Sequence, residues 1–145
     1  MKKKMIVTVK NDLSEIERLS KLINDYGEIN NLSHKVLYDI NLSLDELITN
    51  IISYGYDDED EHKILITIWL NENKLKLTLV DDGLPFNPLL KQEPDHLTQT
   101  LDNRPIGGLG IYLVRKLMDD VEYKRIQNKN MLLLTKLIEN TKNSA

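Results

Sequence analysis

Ile64-Leu-Ile-Thr-Ile-Trp-Leu-Asn-Glu-Asn-Lys-Leu-Lys-Leu-Thr-Leu79 decides the fold. Ile64, Ile66, Ile68 and Leu70 recur at every second position, as do Leu75, Leu77 and Leu79, the period of two half-buried strands. Asn71-Glu72-Asn73 between them is hairpin-loop chemistry. Trp69 alternates with the inward isoleucines and is expected on the other side of its strand, covering the sheet or marking a partner surface.

Before the hairpin, Met5, Val7 and Val9 alternate like a further strand. Ser14 and Glu17 make a capping-box pattern at a helix start, and Ile16, Leu19, Ile23 and Tyr26 follow at helical spacing. Gly27 and Asn30-Asn31 should break that helix. A second helix is expected over residues 33–54, with Leu37, Ile40, Leu44, Leu47, Ile48 and Ile51 as its apolar stripe. Residues 57–61 form a polar connection to the hairpin.

After the hairpin, residues 84–106 have no sustained period and hold all four prolines: Pro85, Pro88, Pro94 and Pro105. A loop of that length in a small domain is functional or disordered. Gly107-Gly108-Leu109-Gly110 then enters a helix with Ile111, Val114, Leu117 and Met118 inward; Tyr112 and Leu113 are expected to serve packing. Two strands near 120–127 and 131–138 close the chain. Strands in pairs, with helices between, predict an α+β two-layer sandwich: a mixed, mostly antiparallel sheet with helices on one face. One domain is expected over residues 1–139, and residues 140–145 should fray.

Bulk properties narrow the function. The 145 residues carry a net charge of −4, with basic and acidic residues mixed and no cysteine. That argues against direct nucleic-acid binding and excludes disulfides and thiolate chemistry. No stretch approaches a membrane span, and the apolar run after Lys2, Lys3 and Lys4 is too short for a signal peptide. These features read as a soluble cytoplasmic protein with no membrane partner.

Three stretches could carry chemistry. Asp39, Ser43, Glu46 and Asn50 form a polar stripe on the second helix. Such a stripe is ordinarily a solvated face. Its sharper reading joins Asn50, a neutral oxygen ligand for Mg²⁺, to Glu46, a carboxylate one turn away able to orient or deprotonate a hydroxyl. In Val80-Asp81-Asp82-Gly83, Asp81 at a strand end could accept from an exocyclic amine such as adenine's, with Gly83 allowing close approach; Asp-Gly is also common in plain turns. Glycines entering a helix expose N–H groups beside its positive end, a phosphate site, or they make a flexible joint. No P-loop or Rossmann glycine pattern is present. His34, His62 and His96 show no metal spacing and are expected to be exposed or in the loop.

Taken in order, Asp45-Glu-Leu-Ile-Thr-Asn50, Asp81-Asp-Gly83 and Gly107-Gly-Leu-Gly110 resemble the ATP site of the GHKL, or Bergerat-fold, ATPases, across about residues 33–138. Within that superfamily the chain is most similar to the bacterial anti-sigma-factor serine/threonine kinases, through residues 50–56 and 108–119. The resemblance implies ATP and Mg²⁺ as cofactors. Glu46 would be the catalytic carboxylate, and Asn50 the Mg²⁺ ligand. Asp81 and Gly83 would bind adenine, Gly107, Gly108, Leu109 and Gly110 the phosphates, and residues 84–106 would be the ATP lid. Arg104 is a candidate phosphate or partner contact by position. It further implies transfer of the γ-phosphoryl group to a serine of an anti-sigma-factor antagonist, sequestration of a sigma factor, and homodimers.

Three features depart from that pattern. Pro85 stands where a second glycine is usual, Asn130-Met131 stands near the place of a Gly-Thr, and Tyr54 replaces a histidine. An ATP-gated protein-binding module without productive transfer is the alternative. The catalytic domain of a histidine kinase is disfavoured, because the chain opens at the first strand with no room for a phospho-accepting helix pair.

Overall fold

The computed structural model describes residues 3–90 and 108–138. Strand β1 is Lys4–Lys10, followed by helices α1, Glu15–Ile29, and α2, His34–Tyr54. The hairpin is β2, Lys63–Asn71, and β3, Lys74–Asp81; a single 3-10 turn covers Pro88–Leu90. Helix α3, Gly108–Leu117, precedes β4, Asp120–Ile126, and β5, Lys129–Leu137. The sheet order is β1-β2-β3-β5-β4, and every pairing is antiparallel.

Alternation assigns the faces. Val7, Ile66, Leu79 and Leu132 are paired across the sheet in one row, and Ile68, Leu77 and Leu134 in another. All are buried in one cluster with Leu19 and Ile23 of α1, Leu44 and Ile48 of α2, and Ile111 and Val114 of α3. The opposite face is open, with Ile6, Leu65 and Trp69 exposed, so Trp69 lies on the side expected of it.

Turn chemistry sets the registers. Gln127 and Asn128, both at positive φ, join β4 to β5 as a type I′ connection matching strand twist. The last strand thus starts earlier than expected, and Asn130 lies inside it, opposite Asp81.

Two local expectations are corrected. The Ser14–Glu17 capping box does not form: Ser14 makes no side-chain cap, and Asp12 accepts its N–H at 3.0 Å. Gly27 does not break α1, which continues to Ile29. A Cβ there would lie 2.3 Å from Leu37, so Gly27 is where α2 packs closely. The effective cap is on α2, where Ser33 Oγ accepts from Val36 N–H at 3.1 Å.

The polar stripe of α2 is not a solvated face. Asp39, Ser43 and Asn50 are buried, and Glu46 is half-buried. Ser43 Oγ has no partner among the described residues. Asp39 is paired with Lys35 at 2.6 Å and Lys136 at 2.9 Å. Burial pushes its carboxyl up, but the two ammonium groups overcome this and hold it below the usual range. Lys136 also donates to Leu117 C=O at 2.6 Å, strapping the end of α3 to α2 and β5.

Candidate functional site

The parity that buries Leu75, Leu77 and Leu79 carries on to Asp81, so a carboxylate enters the apolar layer where β3 ends. Asp82 points the other way and is exposed. Asp81 Oδ1 accepts from Gly83 N–H at 2.9 Å and from Asn130 Nδ2 at 3.0 Å. Asp81 as a whole is buried, and among the described residues nothing donates to its Oδ2, which leaves that acceptor for a ligand.

Beside it is a hollow with about 20 Å³ open to water, room for about one water molecule. Leu47, Ile51 and Leu132 wall it, Leu84, Phe86 and Pro88 close it, and Asn50, Asp81 and Asn130 supply polar groups. An apolar slot with a few convergent polar groups is the usual form of a small-molecule site. A much larger groove of about 860 Å³ surrounds Asp39 and Lys136 at the other end of α2, where the carboxylate is already paired.

Two glycines set close approaches. At Gly83 a Cβ would meet Gly55 C=O at 2.4 Å and Asp81 Oδ1 at 2.9 Å. Gly55 C=O itself accepts from Leu84 N–H at 2.7 Å. At Gly110 a Cβ would lie 2.7 Å from Glu46 Oε2 and 3.6 Å from Asn50 Nδ2. The first turn of α3 is thus seated on the polar stripe of α2.

Glu46, Asn50 and Gly110 meet directly, while Asp81 shares the hollow with Asn50 and holds Gly83. Gly108, Leu109 and Gly110 form the opening turn of a helix rather than a loop before one. Arg104, Gly107, His96 and most of the expected lid lie outside the described residues. Leu84–Leu90, where that lid would begin, closes the hollow.

Sequence reasoning missed a second set of residues. Asn130 Nδ2 also donates to Leu84 C=O at 2.8 Å, and its Oδ1 accepts from Tyr123 Oη at 2.5 Å and Phe86 N–H at 3.3 Å. Arg125 donates to Gly83 C=O at 2.9 Å. Counting back in twos from Leu134 and Leu132 reaches Asn130, so its face was readable. His62, expected to be exposed or in the loop, is half-buried and paired. Its Nε2 lies 2.7 Å from Asp58 and its Nδ1 3.1 Å from Asp82, and its ring stacks on Tyr56 at 4.1 Å. Hydrogen bonding to Asp58, helped by Asp82, raises its pKa above the ordinary 6.5.

Helices over one face of an antiparallel sheet, with a buried carboxylate at a strand end and an acid–amide pair under a glycine-opened helix, define a nucleotide-binding ATPase domain. The histidine kinase-like ATPase domain model matches residues 9–136, and the chain belongs to that family. It is similar to the serine-protein kinases RsbW of Bacillus thuringiensis and Bacillus mycoides, each 33% identical over 104 residues. The match covers 70% of this chain and 64% of each relative. In fold it is similar to the RsbU and RsbW domains of a Mycobacterium tuberculosis protein, with TM-score 0.69, 12% identity, and 94% of this chain and 33% of that one covered. It is also similar to the histidine kinase domain of a blue-light activated histidine kinase from Erythrobacter litoralis, with TM-score 0.52, 15% identity, and 87% and 60% covered. No helix among the described residues is long and apolar enough to cross a membrane.

Proposed function

We propose that this chain is an ATP-dependent protein serine/threonine kinase that works in the cytoplasm as an anti-sigma factor, phosphorylating an anti-sigma-factor antagonist and sequestering a sigma factor. The observation that carries this reading is the convergence of Glu46, Asn50 and Gly110 beside the slot that holds Asp81. Relatives named serine-protein kinases support the choice of substrate class.

The residues fit a magnesium nucleotide. Asp81 lines the slot, and its Oδ2, which has no donor among the described residues, suits an exocyclic amine, while Leu47, Ile51 and Leu132 suit a flat base. Asn50 is the hard, neutral oxygen ligand that Mg²⁺ accepts. Gly110 leaves open the space above Glu46 that a side chain would fill. When bound, the magnesium nucleotide supplies the transferable γ-phosphoryl group and neutralises its charge. Glu46 takes or orients the proton of the attacking serine hydroxyl. The first N–H groups of α3, at the positive end of the helix, would hold the phosphate oxygens.

Calorimetric titration with ADP and ATP, with and without Mg²⁺, tests the binding half. Incubation with labelled ATP, Mg²⁺ and the cognate antagonist tests transfer. Glu46→Gln should keep nucleotide binding and lose labelling. A folded protein that binds ATP and never labels its antagonist removes the kinase reading.

A second reading, an ATP-gated binding module, is favoured by the narrowness of the hollow. A base enters only if the Phe86 and Pro88 side chains give way, so occupancy changes the surface. If Glu46→Gln leaves partner exchange intact, switching rather than turnover is the function.

A further inference from the structure

Pro85 has no N–H to pair, yet the backbone groups on either side of it are tied. Gly83 N–H goes to Asp81, and Leu84 N–H to Gly55 C=O. Gly83 C=O accepts from Arg125, Leu84 C=O from Asn130, and Phe86 N–H donates back to Asn130. The two polar groups flanking Pro85 therefore meet one side-chain amide, which serves as a neighbouring strand would.

That amide has no freedom left. A primary amide has two donors and two acceptor positions. Asn130 spends both donors, on Asp81 Oδ1 and Leu84 C=O, and both acceptor positions, on Tyr123 Oη and Phe86 N–H. Reversing it would set oxygen against the Asp81 carboxylate and against a carbonyl, so its orientation is fixed. Asp81 Oδ1 is in turn saturated by Gly83 N–H and Asn130, which directs the carboxylate's other oxygen at the slot.

We propose that Asn130, braced by Tyr123, is a positioning residue for base recognition, fixing the Asp81 carboxylate and clamping the Pro85 segment so that Oδ2 alone meets the base. This rests on the reading that the slot takes an adenine nucleotide. The ligand feature selected is an exocyclic amine, which donates to Oδ2. A six-oxo purine would set oxygen against oxygen there.

The test is calorimetry of the full chain with Mg²⁺ and either ADP or inosine diphosphate, for wild type, Asn130→Ala, Asn130→Asp and Tyr123→Phe. Losing a hydrogen bond to a charged group costs about tenfold or more. Asn130→Ala should therefore weaken ADP about tenfold and inosine diphosphate less than about threefold, so discrimination collapses, a change that loosening alone would not produce. In Asn130→Asp, two carboxylates share one site and one pKa rises. ADP affinity should be poor at pH 8 and recover as the pH falls and a shared proton restores the donor. Tyr123→Phe should reduce discrimination less than Asn130→Ala.

Unchanged discrimination in Asn130→Ala overturns the proposal. If that variant fails to fold, a pH-independent Asn130→Asp overturns it equally. A wild type that binds neither nucleotide overturns the adenine reading itself, an outcome distinct from wild-type selectivity that ignores Asn130.

Discussion

Replacing Gly83 by alanine isolates the closest backbone approach at the site. The new Cβ would lie 2.4 Å from Gly55 C=O, 3.1 Å from its carbon and 2.9 Å from Asp81 Oδ1. Ordinary contact begins at 3.4 Å, so about 1.0 Å (3.4 minus 2.4) must open. The opposing atom is backbone at the end of α2 and has no rotamer to adopt. Overpacking of this kind costs about 1–3 kcal/mol. Separation also stretches the 2.7 Å bond from Leu84 N–H to Gly55 C=O, worth about 1 kcal/mol. The sum, about 2–4 kcal/mol, lowers Tm by roughly 6–12 °C at this chain length. Thermal unfolding followed by circular dichroism measures it, with Gly110→Ala as the contrast. There the nearest atom is Glu46 Oε2, the free end of a flexible side chain, and alanine gains about 1 kcal/mol over glycine in a helix. Gly110→Ala should keep Tm within about 3 °C and lose phosphoryl transfer. A Gly83→Ala protein within about 2 °C of wild type would refute the reasoning.

Other perturbations follow from the same geometry. Asn50→Ala should weaken the Mg²⁺-nucleotide far more than the metal-free nucleotide, and Asp81→Asn should weaken ADP with or without metal; both are read by calorimetry, and normal binding in both would misplace the site. Asp39→Ala strands Lys136, whose side chain is only 14% exposed; breaking such a pair costs about 3 kcal/mol, measurable by urea denaturation. His62 has a raised pKa from Asp58 and Asp82, so its contribution is full below the unfolded value of about 6.5 and disappears as pH rises through the higher folded value. The Tm advantage of wild type over His62→Gln should therefore be largest near pH 6 and shrink toward pH 9; a flat difference would exclude a charged bridge.

Much of this arrangement was legible because two periods govern it. Every second residue from Leu75 leads to Asp81, and steps of four, three and four along α2 lead from Asp39 through Ser43 and Glu46 to Asn50. Gly83 and Gly110 stood out because glycine marks close approach. What stayed hidden depended on pairing. Whether Asp39 faced water turned on Lys136, 97 positions later by number, and no local pattern announces such a partner. His62 read as isolated because Asp58 and Asp82 reach it from two loops. Asn130 was placed before its strand because Gln127 and Asn128 make a tighter turn than the polar run around them suggested. The Gly27 break failed because a tertiary contact with Leu37 outweighed local preference, and the Ser14 cap failed where Asp12, two residues away, takes the Ser14 N–H.

The strap on Lys136 makes α3 a cantilever. Its far end is bolted to Asp39 on α2 and to β5, where Asp119 N–H meets Thr135 C=O at 2.9 Å. Its glycine end merely rests on Glu46. A ten-residue helix is a rod of about 15 Å, so a tilt of about 6° about the bolted end lifts the tip by about 1.5 Å. Whatever presses on the tip is geared up there and silent at the root, so a partner that senses occupancy has to grip the molecule at the glycine end.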